Sequence, residues 1–392
     1  MYPPHHQGGY EVIWRSAVEH LRARGHTARV LTTDHRETTP DASLPESDDV
    51  HRELRWYWKD YEFPRLRLRE LLDLERHNAA VFDRHLRELR PDVVAWWSMG
   101  GMSLSLLERA RRAGLPALGV VIDDWPLYGP KVDQWTHTAR RFPPLGWWAR
   151  LPVPRRLGRT AEWSFTSRLQ RERVRRRLGN PPERIDYPGV DRSHFRAAPP
   201  HAEWRGRLLY CGRLDRRKGV DMAVEALASL PGMTLRIVGV GEHAYVSELR
   251  DLAASLGVAE RVELAGRVPR QELPAAYAAA DAVVFPVRWD EPFGLVPLEA
   301  MAVGRPVVAT GRGGSGEYLV RGENALVFER DAGAPALAES VRTLAADAEL
   351  RAKLHAGGLA TAERLSEQAY NEAIERRLLA LAAQPNVPTS GA

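Results

Sequence analysis

The sequence predicts an α/β protein made of two doubly wound domains, each with a parallel sheet between layers of helices. Short apolar runs alternate with longer amphipathic stretches along the whole chain, which is typical of successive βαβ units. A chain of 392 residues with 44% hydrophobic content is long enough for two cores. Between them, residues 196–203 (RAAPPHAE) lose this periodicity and contain two prolines, as expected of a linker.

The apolar runs place the predicted strands and domain boundaries. We expect a Rossmann-like domain over residues 1–195, a second domain over 204–365, and a crossover helix and tail over 366–392. The predicted strands are Ala28 to Thr32, Val93 to Trp97, Ala117 to Ile122, Leu208 to Tyr210, Leu235 to Val238, Val262 to Leu264, Ala282 to Phe285 and Pro306 to Ala309. Helices such as Ser16 to Arg24 and Ser103 to Ala113 lie between them.

The start of the chain departs from this pattern. YPPHHQGGYEV indicates a turn followed by a helix, without the central strand that normally opens a doubly wound domain. A central strand buries both faces, so its loss would be costly. We expect either that the true start lies upstream of Met1 or that the first domain lacks its first strand.

Composition excludes several function classes. The single cysteine, Cys211, excludes internal disulfides, thiolate metal clusters and a dithiol redox pair. No apolar run has the roughly 20 residues that a membrane-spanning helix needs, and no leader pattern opens the sequence. We therefore expect a cytoplasmic protein.

Net charge is +5, and the basic excess lies in the first half. Residues 139–177 hold 12 arginines against two glutamates, with Phe142, Trp147, Trp148 and Trp163 interleaved. Such a surface would attract anionic lipid at the inner face of a membrane. A solvated basic face with a few core aromatics is the competing interpretation.

The segment from Trp289 to Leu319 carries the strongest chemical signal, WDEPFGLVPLEAMAVGRPVVATGRGGSGEYL. Glu291 and Glu299 are separated by seven residues at a strand-to-helix junction rich in Gly and Pro. Such a junction presents backbone N–H groups to a bound diphosphate. The two carboxylates are suited to accept hydrogen bonds from sugar hydroxyls.

This segment resembles the E-x7-E signature of retaining glycosyltransferases of family 4, which have the GT-B fold of two Rossmann-like domains facing across a donor-binding cleft. The resemblance implies that Glu291 contacts the transferred sugar and that Glu299 holds the ribose of a nucleotide diphosphate sugar. It implies that the backbone of Phe293, Gly294 and Leu295 meets the phosphate.

LLYCGRLDRRKGVD resembles the family loop in which an arginine and a lysine clamp the diphosphate, which implies Arg213 and Lys218. The chemistry needs such cations because negative charge builds on the leaving diphosphate as the glycosidic bond breaks. Arg267 and Val268 lie where relatives hold the base with backbone atoms.

The likeness extends through the first half. Gln7, Gly8, Gly9 and Tyr10 resemble the glycine-rich loop that approaches the donor phosphate, and RIDYPGVDRSHF resembles the end of the first domain. Many relatives have a histidine near the transferred sugar after the strand Ala117 to Ile122. This sequence has Asp123 and Asp124 instead, so the resemblance leaves the identity of the sugar and the finer mechanism open. The base and the acceptor cannot be read from the sequence either.

The resemblance implies retention by front-face departure and attack, with the leaving diphosphate helping to deprotonate the acceptor. No cofactor and no metal are expected: Asp123 and Asp124 are an adjacent pair rather than a D-x-D site, and Arg213 and Lys218 can replace the cation. The acceptor can be named only by class, as a glycolipid, a polysaccharide precursor or a natural product.

Three alternatives stay open at this stage. VGVGEHA (Val238 to Ala244) matches the G-x-G-x-x-A dinucleotide pattern, with Glu263 downstream, and would suit an NAD-dependent oxidoreductase. A GT-B sugar-nucleotide epimerase or phosphorylase would share the donor motifs. The pI near 9.4 also occurs in nucleic-acid-binding proteins, although we expect no nucleic-acid partner here.

Overall fold

The structure is a computed structural model, which describes residues 1–6, 8–41, 43–58 and 62–384. Internal contacts divide the chain into two compact units. Unit 1 comprises Met1–Asp186 together with the segment from Asn371 onward, and unit 2 comprises Tyr187–Tyr370. Both units are parallel-sheet α/β structures, which confirms the predicted fold class.

Unit 1 begins with a helix. Its strands are β1 (Val30–Thr33), β2 (Val50–Leu54), β3 (Val94–Trp97), β4 (Ala117–Val121), β5 (Glu162–Phe165) and β6 (Glu183–Ile185). Its helices are α1 (Gly9–Ala23), α2 (Leu68–Leu89), α3 (Ser105–Arg112), α4 (Trp125–Val132), α5 (Gln134–Arg141), α6 (Pro143–Ala149) and α7 (Arg168–Leu178).

The strands of unit 1 form two separate parallel sheets. β1 pairs with β2, and β3 to β6 pair in chain order. Within the described part of the chain no strand precedes α1. Instead, Trp14 of α1 stacks on Trp97 of β3, with ring centroids 6.2 Å apart and planes at 14°. Aromatic packing from α1 therefore covers the end of β3.

Unit 2 has six strands and six helices. The strands are β7 (Arg207–Cys211), β8 (Thr234–Val238), β9 (Val262–Gly266), β10 (Ala282–Phe285), β11 (Val307–Ala309) and β12 (Leu326–Val327). The helices are α8 (Val220–Ala228), α9 (His243–Ser255), α10 (Leu273–Ala279), α11 (Val296–Ala302), α12 (Gly333–Ala346) and α13 (Ala348–Arg364).

The sheet of unit 2 is fully parallel, in the order β12-β11-β10-β7-β8-β9. The order reverses between β10 and β7, so these two strands are central although far apart in sequence. All four residues of β10 are buried, as expected for a strand with helices on both faces. This order brings the loops after β7 and β10 side by side.

The last helix, α14 (Glu367–Ala382), begins in unit 2 and continues into unit 1. In unit 1, Glu375 accepts hydrogen bonds from His20 and His26, each at 2.9 Å, and Asn371 donates to Ser16 at 2.7 Å. The two contact-based divisions, after Asp186 and after Tyr370, differ from the predicted boundaries by several residues. The predicted limits of 195, 204 and 365 remain predictions.

Candidate functional site

Several of the predicted donor residues of unit 2 lie in loops at one edge of its sheet. Arg213 follows β7, Arg267 and Val268 follow β9, and Glu291 follows β10. Because all strands are parallel, their carboxyl ends meet at the same edge, where ligands of open α/β sheets bind. Residues from three separate parts of the sequence therefore share one face of this unit.

Lys218 and Glu291 are in direct contact. The Nζ atom of Lys218 lies 2.5 Å from Oε2 of Glu291, and the Trp289 indole nitrogen donates to the same oxygen at 2.9 Å. The Lys218 ammonium also lies 5.4 Å from the centre of the Trp289 ring, a cation–π distance. Both side chains of the ion pair are largely shielded from solvent, with 19% and 13% exposed.

The turn that carries Lys218 is held by its own hydrogen bonds. The Asp215 side chain accepts from the Arg217 backbone nitrogen at 2.9 Å and from the Arg217 guanidinium. These bonds hold the pKa of Asp215 at about 2. Arg217 in turn stacks over the Trp289 ring at 4.9 Å. The loop after β7 and the loop after β10 are thus joined at Trp289 as well as at Glu291.

A glycine allows these loops to approach closely. Gly219 has φ of 70°, and a Cβ atom there would lie 2.0 Å from the Pro286 carbonyl oxygen. Gly314 packs similarly, because a Cβ atom there would lie 2.0 Å from the Pro292 carbonyl oxygen. Side chains are excluded at both positions by neighbouring backbone.

Glu299 lies in the first turn of α11. Its Oε2 accepts a hydrogen bond of 2.6 Å from the Tyr277 hydroxyl, which comes from α10. The Tyr318 hydroxyl donates a hydrogen bond of 2.5 Å to the carbonyl oxygen of Gly294. The negative charges of Glu291 and Glu299 act on the same hydroxyl. Burial, with these two charges, raises the pKa of Tyr318 well above its usual value.

The other predicted donor residues of unit 2 differ in how exposed their side chains are. The Phe293 side chain is buried against Tyr318, with ring centroids 5.1 Å apart, so the backbone is the part of Phe293 and of Gly294 that a ligand could meet. Arg213 and Arg267 are exposed. Among the residues that the structure covers, neither guanidinium has an ion pair within 4.0 Å.

Three residues of this site had no role predicted from the sequence. Trp289 was quoted in the motif without a role, Tyr277 lies in an unremarkable helix, and Asp215 was passed over beside three cations. Only their contacts with Glu291, Glu299 and Arg217 reveal them. The aromatic residue two positions before Glu291 was the one usable signal.

The G-x-G-x-x-A pattern after β8 has a packing role. A Cβ atom on Gly239 would lie 1.8 Å from the Gly212 carbonyl oxygen, and one on Gly241 would lie 2.2 Å from that of Leu214. These glycines therefore let the turn pack against the loop that carries Arg213. Close backbone packing explains them without a dinucleotide.

In unit 1, Gly8 caps the start of α1 and Gly9 is its first residue, and both are exposed. Gln7 lies outside the described residues. Asp123 follows β4 and accepts hydrogen bonds from the Tyr128 hydroxyl at 3.1 Å and from the Trp125 backbone nitrogen at 3.3 Å. Burial raises the pKa of Asp123 to about 6. Contact of these residues with a donor stays a prediction.

The aromatic residues of the basic segment 139–177 divide into two groups. Trp163 is buried in the core of unit 1, where its indole donates to the Gly158 carbonyl. In contrast, Trp147 and Trp148 of α6 and the preceding Phe142 are 85%, 64% and 58% exposed. Arg140, Arg141 and Arg150 flank them and are also exposed. In the described part of the chain, no helix is both long enough and apolar enough to cross a bilayer.

Comparison with known families matches both parts of the chain. A family model described as "Glycosyl transferases group 1" matches residues 191–361. A second, described as "Glycosyl transferase 4-like domain", matches residues 8–189. Together the two models cover nearly the whole described chain.

Curated relatives match part of the chain. A GDP-mannose-dependent alpha-(1-6)-phosphatidylinositol monomannoside mannosyltransferase from Mycolicibacterium smegmatis is 37% identical over 209 residues, 46% of this chain and 54% of the relative. A D-inositol 3-phosphate glycosyltransferase from Mycobacteroides abscessus is 40% identical over 146 residues, 34% of this chain and 33% of the relative. The match thus spans about half the length of these relatives or less.

Among solved structures, sucrose-phosphate synthase from Thermosynechococcus elongatus superposes with a TM-score of 0.69. The alignment covers 95% of this chain and 94% of that one, at 21% sequence identity. This likeness shows the fold, and it identifies the two α/β units as those of a GT-B protein.

Proposed function

Because the chain belongs to the group 1 glycosyltransferases of family 4 type, we propose that it transfers a hexosyl group from a nucleotide diphosphate sugar to a glycolipid-type acceptor, with retention at the anomeric carbon. The contact between Lys218 and Glu291 carries this proposal. In this contact, an ammonium group that can bind a diphosphate lies beside a carboxylate that can accept hydrogen bonds from sugar hydroxyls.

The two groups have complementary tasks. Lys218 keeps further N–H donors beyond the one given to Glu291, and these can bind a diphosphate oxygen. Glu291 keeps its second oxygen, Oε1, to accept from a hydroxyl of the transferred sugar. Trp289 holds Oε2 in place by its 2.9 Å hydrogen bond, so the carboxylate is oriented before a donor binds.

The remaining roles follow the family resemblance. We assign Arg213 to the diphosphate together with Lys218, Glu299 to the ribose, and the backbone of Phe293, Gly294 and Leu295 to the phosphate. Arg267 and Val268 are assigned to the base, and Gly8 and Gly9 to the phosphate from unit 1. The 2.6 Å hydrogen bond from Tyr277 supports the ribose role, because it leaves Glu299 with one fixed and one available oxygen.

The transfer step is a front-face substitution. The bond between the anomeric carbon and the diphosphate oxygen breaks, and the bond to the acceptor oxygen forms on the same side of the sugar ring. The acceptor proton passes to an oxygen of the departing diphosphate. Arg213 and Lys218 stabilise the charge that builds on that leaving group.

We propose that this step needs no metal ion. Arg213 and Lys218 supply the positive charge that a divalent cation provides in metal-dependent transferases. Transfer is expected to continue in excess EDTA and to show no increase on addition of Mg²⁺ or Mn²⁺. Complete loss in EDTA, restored by either ion, would contradict this part of the proposal.

The acceptor class rests on two observations. The two relatives described above are named for inositol-containing acceptors, one of them a phosphatidylinositol mannoside. Exposed Trp147, Trp148 and Phe142 beside exposed arginines suit the interface of an anionic membrane, where such acceptors are located. We propose that α6 rests on that surface.

Product analysis tests the proposed activity. The chain is incubated with GDP- and UDP-hexoses and with inositol phospholipid or sugar-phosphate acceptors, and the anomeric configuration of the product is determined by NMR. The proposal predicts a product whose new linkage keeps the donor configuration. Inversion, or interconversion of the donor without an acceptor, would contradict it.

Vesicle sedimentation tests the membrane surface separately. Vesicles containing phosphatidylserine are expected to sediment the native chain at low salt, and a Trp147→Ser, Trp148→Ser variant much less. Leu68→Ser, which removes another half-exposed apolar side chain of unit 1, is the matched control and should bind like the native chain. Equal binding of all three proteins would contradict a role for α6.

A further inference from the structure

A second cluster of chemically capable side chains lies in unit 1 and includes none of the residues assigned above. His51 and Glu53 alternate along β2 and so point to the same face of the strand. His85 of α2 faces them. The Nδ1 atom of His51 lies 3.2 Å from Oε1 of Glu53, and Nε2 of His85 lies 3.5 Å from the same oxygen.

We propose that His51, Glu53 and His85 bind a divalent transition-metal ion, with Zn²⁺ as the best-suited ion, and that this ion fastens β2 to α2. All three ligand atoms lie within 4.8 Å of one another. Zn²⁺ binds imidazole nitrogen and carboxylate oxygen at about 2.0–2.2 Å, which places neighbouring ligands of a tetrahedral site about 3.4 Å apart. Two of the three separations, 3.2 and 3.5 Å, are close to this value.

The donor set indicates the class of ion. Two imidazoles and one carboxylate suit Zn²⁺ and neighbouring transition ions, whereas Mg²⁺ and Ca²⁺ take oxygen ligands. His51 and Glu53 are about one third exposed, so water can complete the coordination.

An outer shell of charge surrounds the three ligands. Nε2 of His51 lies 2.7 Å from Oδ1 of Asp49, and a carboxylate on the far ring nitrogen is the usual support of a metal-binding histidine. This contact leaves Nδ1 of His51 as the nitrogen directed towards Glu53. Asp49 therefore orients the ring for the proposed ion.

Two arginines also touch the cluster, and the ion must be accommodated beside them. Arg84 pairs with Glu53 and lies 3.4 Å from Nε2 of His85, while Arg29 contacts Nδ1 of His85 at 3.3 Å. Both arginines also form ion pairs with Glu88. Each guanidinium can therefore remain paired with a carboxylate when a bound ion displaces it from His85. The carboxylates of Asp49, Glu53 and Glu88 outnumber the two guanidiniums, so the neighbourhood is net negative and favours a cation.

The position of the site gives the ion a structural task. Among the strands that the structure describes, β2 pairs only with β1, and a two-stranded sheet is marginally stable without further packing. An ion bridging His51 and Glu53 of β2 to His85 of α2 would hold this sheet against its covering helix. Its binding free energy would add to the stability of unit 1.

Zinc titration of a tag-free, chelator-stripped chain tests the proposal. We expect one Zn²⁺ per chain by calorimetry, a rise in melting temperature on adding Zn²⁺ but not Mg²⁺, and a visible d–d band with Co²⁺. His51→Gln and His85→Gln are each expected to weaken Zn²⁺ binding by at least ~10-fold, because metal sites are this sensitive even to outer-shell changes.

His35→Gln is the matched control. His35 forms a similar pair with Glu37 at 3.1 Å but belongs to no three-residue metal group among the described residues. It should bind Zn²⁺ like the native chain. Circular dichroism of the His51→Gln variant distinguishes ligand loss from unfolding. No stoichiometric Zn²⁺ binding by the native chain, or equal binding by folded His51→Gln, would overturn the proposal.

Discussion

The Nζ atom of Lys218 lies 2.5 Å from Oε2 of Glu291, although the two residues are 73 positions apart in the sequence. The contact exists because β7 and β10, which precede them, are neighbours at the centre of the unit 2 sheet. An ammonium, a carboxylate and an indole thereby meet at the carboxyl edge of that sheet. The proposed donor chemistry depends on this meeting.

Glu291→Gln is expected to lower kcat for transfer on the order of 10²-fold, comparable with removal of one preorganised electrostatic contact. The amide keeps the shape but removes the charge that pairs with Lys218. Steady-state kinetics with a saturating acceptor measures the effect. Asp290→Asn, which changes the adjacent carboxylate, is the control and should keep at least most of the activity; an equal loss in both variants would contradict a specific role for Glu291.

Tyr277→Phe is expected to raise KM for the donor by roughly 10-fold or more, since a hydrogen bond to a charged carboxylate is worth about 1.5–3 kcal/mol. The variant removes the hydroxyl that orients Glu299 but leaves the buried ring. With Tyr277 acting only on binding, kcat should stay near the native value. Tyr245→Phe, which removes a hydroxyl bonded to Asp221 at 3.3 Å, serves as the control. A change in kcat without a change in KM would argue against this positioning role.

Gly219→Ala is expected to destabilise unit 2 by more than Gly257→Ala. Both glycines have φ near 70°, so both substitutions carry the cost of about 1–2 kcal/mol for a left-handed residue with a side chain. A Cβ atom at Gly257 meets nothing within 4 Å, whereas one at Gly219 overlaps the Pro286 carbonyl. Urea denaturation of the two variants separates the cost of the left-handed backbone conformation from the cost of the steric overlap with Pro286. Equal loss of stability would show that the two loops can move apart freely.

The stability of unit 1 is expected to fall as pH rises from about 4.5 to about 7. Burial and the charge of Asp133 raise the pKa of Glu75 to about 7. The native state therefore binds the Glu75 proton more tightly than the unfolded state, and this contribution is full below the unfolded pKa and lost as pH passes the native one.

Glu75→Gln should reduce that pH dependence. The amide oxygen can still accept the hydrogen bond that Tyr57 donates to Glu75 at 2.6 Å, and it does not ionise. Thermal unfolding across this pH range measures the effect, with Glu70→Gln on the same helix as the control. An unchanged pH profile in Glu75→Gln would show that another group is responsible.

Much of the fold could be predicted from the sequence. β10 was predicted with its observed bounds, because an uninterrupted apolar run is typical of a central strand. In contrast, β2 (VHREL) was not predicted, because three of its five residues are charged or imidazole side chains and resemble a loop. The separate pairing of β1 with β2 could be seen only in the structure, since local periodicity does not determine strand order.

The candidate site was only partly predictable. Lys218 and Glu291 were singled out from motifs, but their contact depends on strand order and on the close approach at Gly219. The tyrosine that holds Glu299 carries no local signal. The cluster of His51, Glu53 and His85 joins a strand to a helix, so no spacing rule could have indicated it.

Thermal stability with nucleotide diphosphates tests the central claim most directly. The native chain is compared with an Arg213→Ala, Lys218→Ala double variant and with Arg216→Ala, an exposed neighbour that pairs with Glu248. Our account predicts that GDP or UDP raises the melting temperature of the native chain and of Arg216→Ala, but not of the double variant. An equal rise in all three folded proteins, or no rise with any nucleotide diphosphate, would contradict the proposed donor site.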